Sequence, residues 1–173
     1  MSAATVDQNV DQTADQTVDH DQVHAIAQEV FAAMVDGDLG LLLPWDGDLP
    51  ELDDALVAWV DLHGEWSGRA VLVTAHSTAE DLARALLALP ADDEVAREDL
   101  EDAFGEIANV VGGNLKSLLP NPGTLGLPQV GTAVPPLAGA VRAQHLPLSW
   151  RGRLLVVDVW VALPGHDTDG GDR

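Results

Sequence analysis

Asp102, Glu106, Asn109, Gly113 and Lys116 recur at spacings of 4, 3, 4 and 3 residues. At 100° per residue that spacing sets all five in one stripe along a helix. The stretch that carries them, EDAFGEIANVVGGNLKSLL (101–119), holds three glycines and two asparagines, although a glycine inside a helix costs roughly 1 kcal/mol relative to alanine. On the wheel these costly residues are segregated. Leu100, Phe104, Ile107, Val111, Leu115 and Leu118 make an apolar face, and Gly105, Ala108 and Gly112 make a small-residue edge suited to close approach by a neighbouring helix or strand. Gly113 removes side-chain bulk from the polar stripe itself. Asn114 falls near the apolar side and is expected to be a buried, hydrogen-bonded structural residue. Carboxylates, an amide and an ammonium on one face can pair with charge and hold hydrogen-bonded partners. An ordinary solvated helix presents the same residue types, and periodicity alone does not separate the two readings.

The elements that must position this stripe follow from pattern. VHAIAQEVFAAMV (23–35) has helical apolar spacing and is ended by Gly37. LLLPWDGDLP is a loop or a short strand broken by Pro44 and Pro50. ALVAWVDLHG (55–64) and WSGRAVLVTA (66–75) read as a hairpin turning at Gly64-Glu65. TAEDLARALLAL reads as a short helix capped by Ser77 or Thr78 and stopped by Pro90. Asp92 is the expected cap of the long helix, which runs to about Leu119 before Pro120 and Pro122. Residues 123–141 read as loop with a short strand near Gln129–Val134. RAQHLPLSW and GRLLVVDVWVAL form a second hairpin across Arg151-Gly152. Helices and hairpins come in blocks, which predicts an α+β fold of two layers: a mixed or antiparallel sheet with helices packed on one face, one of them the long motif-bearing helix. Residues 1–22, acidic with repeated Asp-Gln pairs, are expected to be a disordered tail, residues 23–163 the domain, and 164–173 a flexible C-terminal tail.

With its flanks, DDEVAREDLEDAFGEIANVVGGNLKSLL resembles the signature helix of the CheC/CheX chemotaxis phosphatases: Asp or Ser, three residues, Glu, two residues, Asn, then a small-residue Gly-Asn step. Asp102, Glu106, Asn109 and Gly113-Asn114 stand in those positions. The resemblance extends over most of residues 23–163. A single Glu-x-x-Asn element points to the CheX branch, since the CheC branch usually carries two such helices. It implies hydrolysis of the aspartyl-phosphate of a CheY-like receiver domain in chemotaxis or two-component signalling. By that resemblance Asn109 orients the attacking water and Glu106 pairs with the receiver's active-site lysine. Asp102, Gly113 and Lys116 are the expected binding positions around them. The enzyme would need no cofactor of its own, because Mg²⁺ is expected on the partner receiver. In-line phosphoryl transfer depends mostly on positioning and charge stabilisation, which suits such a sparse site. The alternative is a CheX-like domain without catalysis, serving as a binding or dimerisation module. A homodimer through strand edges is expected in either case.

Composition narrows the partners. With 29 acidic against 8 basic residues the formal net charge is −21, and Lys116 is the only lysine. Such a surface repels phosphate backbones and anionic lipids, so nucleic acid and membrane are not expected partners. The same charge opposes approach to an acidic phosphorylation site unless salt screens it. Cysteine is absent, which removes disulfides and thiolate chemistry. The first residues lack a signal peptide's basic and apolar regions, and the expectation is a cytoplasmic protein. GGNLKS is no phosphate loop, because it lies inside a helix rather than before one. No metal site is expected: His20 and His24 share an i, i+4 spacing but lie at the tail boundary, and His63, His76 and His145 fall at strand ends. Five tryptophans in or near strands are expected to pack in the core or an interface.

Overall fold

A computed structural model describes residues 18–119, 121 and 123–162. The two expected tails therefore lie almost entirely outside the described residues. The first helix, α1 (His20–Phe31), starts three residues ahead of the expected domain boundary at 23. The Asp19 side chain caps it by accepting from the backbone N–H groups of Asp21 and Gln22. Val18, Val23, Ala27 and Phe31 are buried. A π-helical extension, Ala32–Asp36, closes on Gly37 in the left-handed conformation (φ 77°).

The strands follow as β1 (Leu42–Pro44), β2 (Ala55–His63) and β3 (Ser67–Ala75), then β4 (Thr124–Leu125), β5 (Gln129–Gly131), β6 (Ala140–Trp150) and β7 (Arg153–Ala162). Among the described residues they form one sheet in the order β1-β6-β7-β3-β2-β4, with β5 also on the outer edge of β2. Every pairing is antiparallel. Helices α2 (His76–Leu86) and α3 (Arg97–Lys116) join α1 over one face, which is the two-layer α+β arrangement expected from the sequence.

Alternation decides what each face carries. Leu56, Ala58, Val60 and Leu62 of β2, Ala70 and Leu72 of β3, and Leu155, Val157, Val159 and Val161 of β7 enter the main core beneath the helices. Val57, Trp59 and Val71 form a second buried cluster on the far face, with Val73, Val134 and Trp160 packed around it. Trp150 is fully buried in the main core. Trp66 and Trp150 thus pack on one face and Trp59 and Trp160 on the other, while Trp45 lies outside both clusters and donates to Asp48 O; segment 134–137 helps cover the outer face. Arg69 reaches across that face from β3 to Asp61, with nitrogen–oxygen distances of 2.5 and 3.0 Å, and also donates to the Pro135 carbonyl.

The β6–β7 hairpin turns on Arg151 and Gly152, both at positive φ (52° and 78°), as a two-residue hairpin loop requires. Arg151 tolerates that conformation with two supports. Its guanidinium lies 4.5 Å over the Trp150 ring and donates at 3.0 Å to the buried Asp36 carboxylate, which also accepts from Trp150 Nε1 at 3.1 Å. The hairpin tip is thereby fastened to the end of the first helix.

Two further helix starts differ from expectation. Helix α2 begins at His76 behind Ala75, so Ser77 and Thr78 are inside it and Thr78 is buried. The long helix begins at Arg97 behind Ala96, without a side-chain cap, and Asp92 is not its cap. The reason is a turn ahead of it: Asp93 N–H donates to Pro90 O at 3.1 Å, and Arg84 Nε of α2 donates to Asp93 O at 2.9 Å. Tying residues 90–93 to α2 withholds them from α3. Glu98 and Asp99 still place acid in the first turn of α3, and Lys116 lies in its last turn, both favourable to the helix dipole.

Candidate functional site

Helix α3 lies directly against the sheet because its small residues permit it. A Cβ on Gly112 would stand 2.3 Å from Val60 Cγ1 and 3.7 Å from Ala70 Cβ. Two turns earlier, a Cβ on Gly105 would meet Pro128 Cβ and Val130 Cγ2, each at 3.5 Å. Ala108 is fully buried between them. The small-residue edge expected from the wheel is therefore the seam on which the helix sits. Its propensity cost is offset by burial of Phe104, Ile107, Val111 and Leu115, at up to about 2–3 kcal/mol each for a fully buried side chain.

With that edge and the apolar face fixed inward, the polar stripe has one direction left. Asp102 and Glu106 are exposed, and Asn109, Gly113 and Lys116 are partly exposed. Glu106 and Asn109 come together: Asn109 Nδ2 points at Glu106 Oε2 across 3.5 Å, the long limit of a hydrogen bond. Such a contact orients both groups while leaving the carboxylate and the amide free to bind elsewhere. Asp102 lies one turn before Glu106. Gly113 lies one turn beyond Asn109, where a Cβ would find only Leu125 Cδ2, at 3.9 Å. Space at Gly113 is thus not required by the fold, in contrast to Gly112.

Asn114 corrects an expectation. It is exposed, and its Nδ2 donates to the Val110 carbonyl one turn back at 2.8 Å. Ser117 Oγ in turn donates to Asn114 O at 2.6 Å. Position 114 lies at the border of the apolar face near the frayed end of the helix. There an amide finds its partner in its own helix rather than in the core.

A neighbour of the site that sequence reasoning missed is the segment after β4. Leu125 pairs with Leu62 of β2, Gly126 N–H donates to Asp61 O at 2.7 Å, and Pro128 touches Gly105. This segment forms a wall along the small-residue edge of α3 and reaches the stripe at Gly113, and Leu127 on it is 85% exposed. The sequence signal was an apolar residue between Gly126 and Pro128, but only the packing shows which helix it borders.

The His63 ring stands against the wall, with Nε2 3.4 Å from the position of a Cβ on Gly126, while two other histidines are engaged elsewhere. His24 Nε2 lies 3.3 Å from Leu42 O, and His145 Nδ1 lies 2.6 Å from Asp158 Oδ1 on the neighbouring strand. Among the described residues no three His, Cys, Asp or Glu side chains converge in a way that could hold a metal ion. No helix among them is long and apolar enough to cross a membrane.

Residues 56–137, which contain all of α3 and its wall, match the family model described as chemotaxis phosphatase CheX. The domain is CheX-like. Solved structures share the same fold over about four fifths of the chain. A CheX–CheY–BeF3–Mg²⁺ complex from Borrelia burgdorferi superposes with a TM-score of 0.63 at 18% identity, over 83% of this chain and 98% of that one. CheX from Vibrio vulnificus gives 0.62 at 16% identity, over 82% and 95%. CheX from Desulfovibrio desulfuricans gives 0.61 at 15% identity, over 82% and 97%. No curated protein matches the sequence significantly. The resemblance first read from Asp102, Glu106 and Asn109 thus holds for the CheX-like domain, and the stripe occupies the exposed face of its longest helix.

Proposed function

We propose that this CheX-like chain is a phosphatase for the aspartyl-phosphate of a CheY-like receiver domain, with Glu106 and Asn109 as its working side chains. The observation that carries the reading is the adjacency of these two groups, 3.5 Å apart on the exposed face of α3, within the stretch that matches the CheX family. The Borrelia burgdorferi relative is a complex with CheY, which supports a receiver as the partner. It also contains Mg²⁺, which supports a metal that belongs to the receiver rather than to this chain.

The division of labour follows from the chemistry of the two groups. An acyl phosphate is already activated, so hydrolysis requires a water held in line with the phosphorus and little else from the protein. The Asn109 carboxamide can accept from that water through oxygen, and it does so without a protonation state to lose. Glu106 supplies a carboxylate one turn away for an ammonium on the receiver, which fixes the register of docking. The contact from Asn109 Nδ2 to Glu106 holds the amide ready. Asp102 extends the acidic end of the stripe, and the space at Gly113 lets the partner's backbone approach. Lys116, at the far end, offers a cation toward the receiver's acidic rim.

A panel assay tests the reading. Each receiver encoded in the same genome is phosphorylated, and loss of phosphate is timed with and without this protein. Acceleration on at least one receiver is expected; none on any of them would remove the enzyme and leave a non-catalytic binding module. Glu106→Ala is expected to weaken binding to the responsive receiver roughly tenfold or more, as loss of a charge-assisted hydrogen bond should. The component of binding that weakens with added salt should disappear with it. An unchanged affinity would remove Glu106 from the docking contact.

The same reading places the protein in the cytoplasm with its receiver, and a homodimer through strand edges belongs to it. Among the described residues β1 pairs with Leu148–Trp150 of β6 and Trp45 N–H reaches Pro147 O at 3.0 Å, which leaves Ala140–Ala143 without a neighbouring strand on that side. An open edge is a template for a second chain unless covered. Light scattering at micromolar concentration should return the mass of two chains, and a monomer mass would refute the pairing.

A further inference from the structure

We infer that Leu127 is an apolar docking anchor for the receiver, seated on the wall beside the Glu106/Asn109 stripe and setting affinity rather than rate. The inference rests on the receiver-phosphatase reading and adds to it a contact outside the motif. Leu127 is 85% exposed, more than the other exposed large apolar side chains among the described residues, Leu39, Leu41, Leu43, Leu49 and Leu87. An isolated exposed leucine carries no meaning by itself. Three features distinguish this one.

Its position is the first. On α3, Gly105 and Gly112 face the wall, and Asn109 lies between them on the same side of the helix. Pro128 touches Gly105, and Leu125 lies 3.6 Å from the Cβ position of Gly112 and 3.9 Å from that of Gly113. Leu127 therefore stands beside the Asn109 level of the stripe. A body resting on Glu106 and Asn109 would reach it.

Its rigidity is the second. The segment is fastened on both sides of the leucine. Leu125 pairs with Leu62, Gly126 N–H donates to Asp61 O at 2.7 Å, and Gln129 pairs with Trp59. A side chain held out from a fastened backbone loses little freedom on binding, which is what an anchor requires.

The charge of the chain is the third. At −21 the protein repels an acidic partner at long range. The single pairing of Glu106 with an ammonium must compete with that repulsion. Short-range apolar burial is insensitive to it, and an exposed leucine at the rim of the charged contact supplies such burial. The partner surface it fits is an apolar patch next to the receiver's phosphorylation site.

The test uses the full chain and the responsive receiver, charged either with phosphate or with beryllofluoride and Mg²⁺ as a stable mimic. Leu127→Asp is expected to raise the receiver concentration at half-maximal rate, and the Kd for the mimic, by roughly tenfold or more, with kcat unchanged. Leu127→Met should restore most of the affinity. The melting temperature should stay at the wild-type value for both, because the side chain is in solvent. An unchanged Kd, or a fall in kcat at unchanged KM, would overturn the anchor. Asn109→Ala in the same assay separates the two readings. If it loses rate while Leu127→Asp binds normally, the phosphatase stands and the anchor falls. If the wild-type chain binds a receiver without accelerating hydrolysis and Leu127→Asp weakens that binding, the anchor stands and catalysis falls. If the wild-type chain binds none of the receivers, both fall.

Discussion

Asn109→Ala is expected to remove most of the acceleration of receiver dephosphorylation, on the order of 10²–10³-fold in the rate of the bound complex, while Kd for the receiver moves little. The amide acts on the water in the transition state and contributes little to holding the ground-state complex, so its loss belongs in kcat. Folding should survive. Asn109 is partly exposed and its one side-chain hydrogen bond among the described residues is the long 3.5 Å approach to Glu106. Alanine also favours the helix by several tenths of a kcal/mol over asparagine, so stability should stay within about 1 kcal/mol of the parent. Single-turnover decay of a phosphorylated receiver at saturating enzyme, with a urea melt of the same sample, measures both. A variant that melts would make Asn109 a structural residue. A folded variant with full activity would return the protein to the binding-module reading.

Adjacent glycines should respond in opposite directions. Gly112→Ala places a methyl 2.3 Å from Val60 Cγ1. Val60 is a fully buried, β-branched residue in the middle of β2, and it cannot swing aside. Overpacking of that kind costs about 1–3 kcal/mol, more than the roughly 1 kcal/mol that alanine returns as a better helix former. Gly113→Ala meets only ordinary contact at 3.9 Å and should gain up to about 1 kcal/mol. Function should divide the other way. The Gly112 variant, measured per folded molecule, keeps its receiver affinity, while Gly113→Ala, and more so Gly113→Leu, weakens it by filling the gap in the stripe. Urea midpoints at constant m and receiver titrations read the two effects. A Gly112 variant more stable than the parent would mean the helix does not sit on Val60 as described. A Gly113→Leu variant with undiminished affinity would remove position 113 from the interface.

Several corrections concern places where a local signal met a stronger neighbour. Asp92 has a good capping side chain, yet Pro90 and Arg84 draw its segment into a turn against α2, and α3 starts at Arg97 without a cap. Ser77 and Thr78 precede an apolar pattern as caps do, but β3 hands its chain straight into α2 at His76. The acidic Asp-Gln pattern runs through residue 22, yet Asp19 is a cap and Val18 is buried.

The sequence by itself determined the order of elements, the two-layer class and the grouping of α3 into three faces. Each depends on periodicity, and a period of 3.6 or 2 is written into which residues follow which. It also determined that Glu106 and Asn109 would be neighbours, because residues three apart on a helix always are. Tertiary structure alone decided which way those faces point. The seam at Gly112 presses on Val60 and Ala70, residues far away in the chain, and this contact turns the stripe to solvent. The wheel set Gly112 on the close-packing edge and Gly113 in the stripe; tertiary structure decided what Gly112 meets, a valine methyl that leaves no room for a side chain. It decided that both faces of β2 and β3 are covered, so their alternation became continuous burial. It also set the segment that carries Leu127 against α3, with Leu125 at Gly112 and Pro128 at Gly105, through the pairing of Leu125 with Leu62 and of Gln129 with Trp59. Contacts of that kind depend on where two distant segments meet, and no local pattern of residues encodes the meeting point.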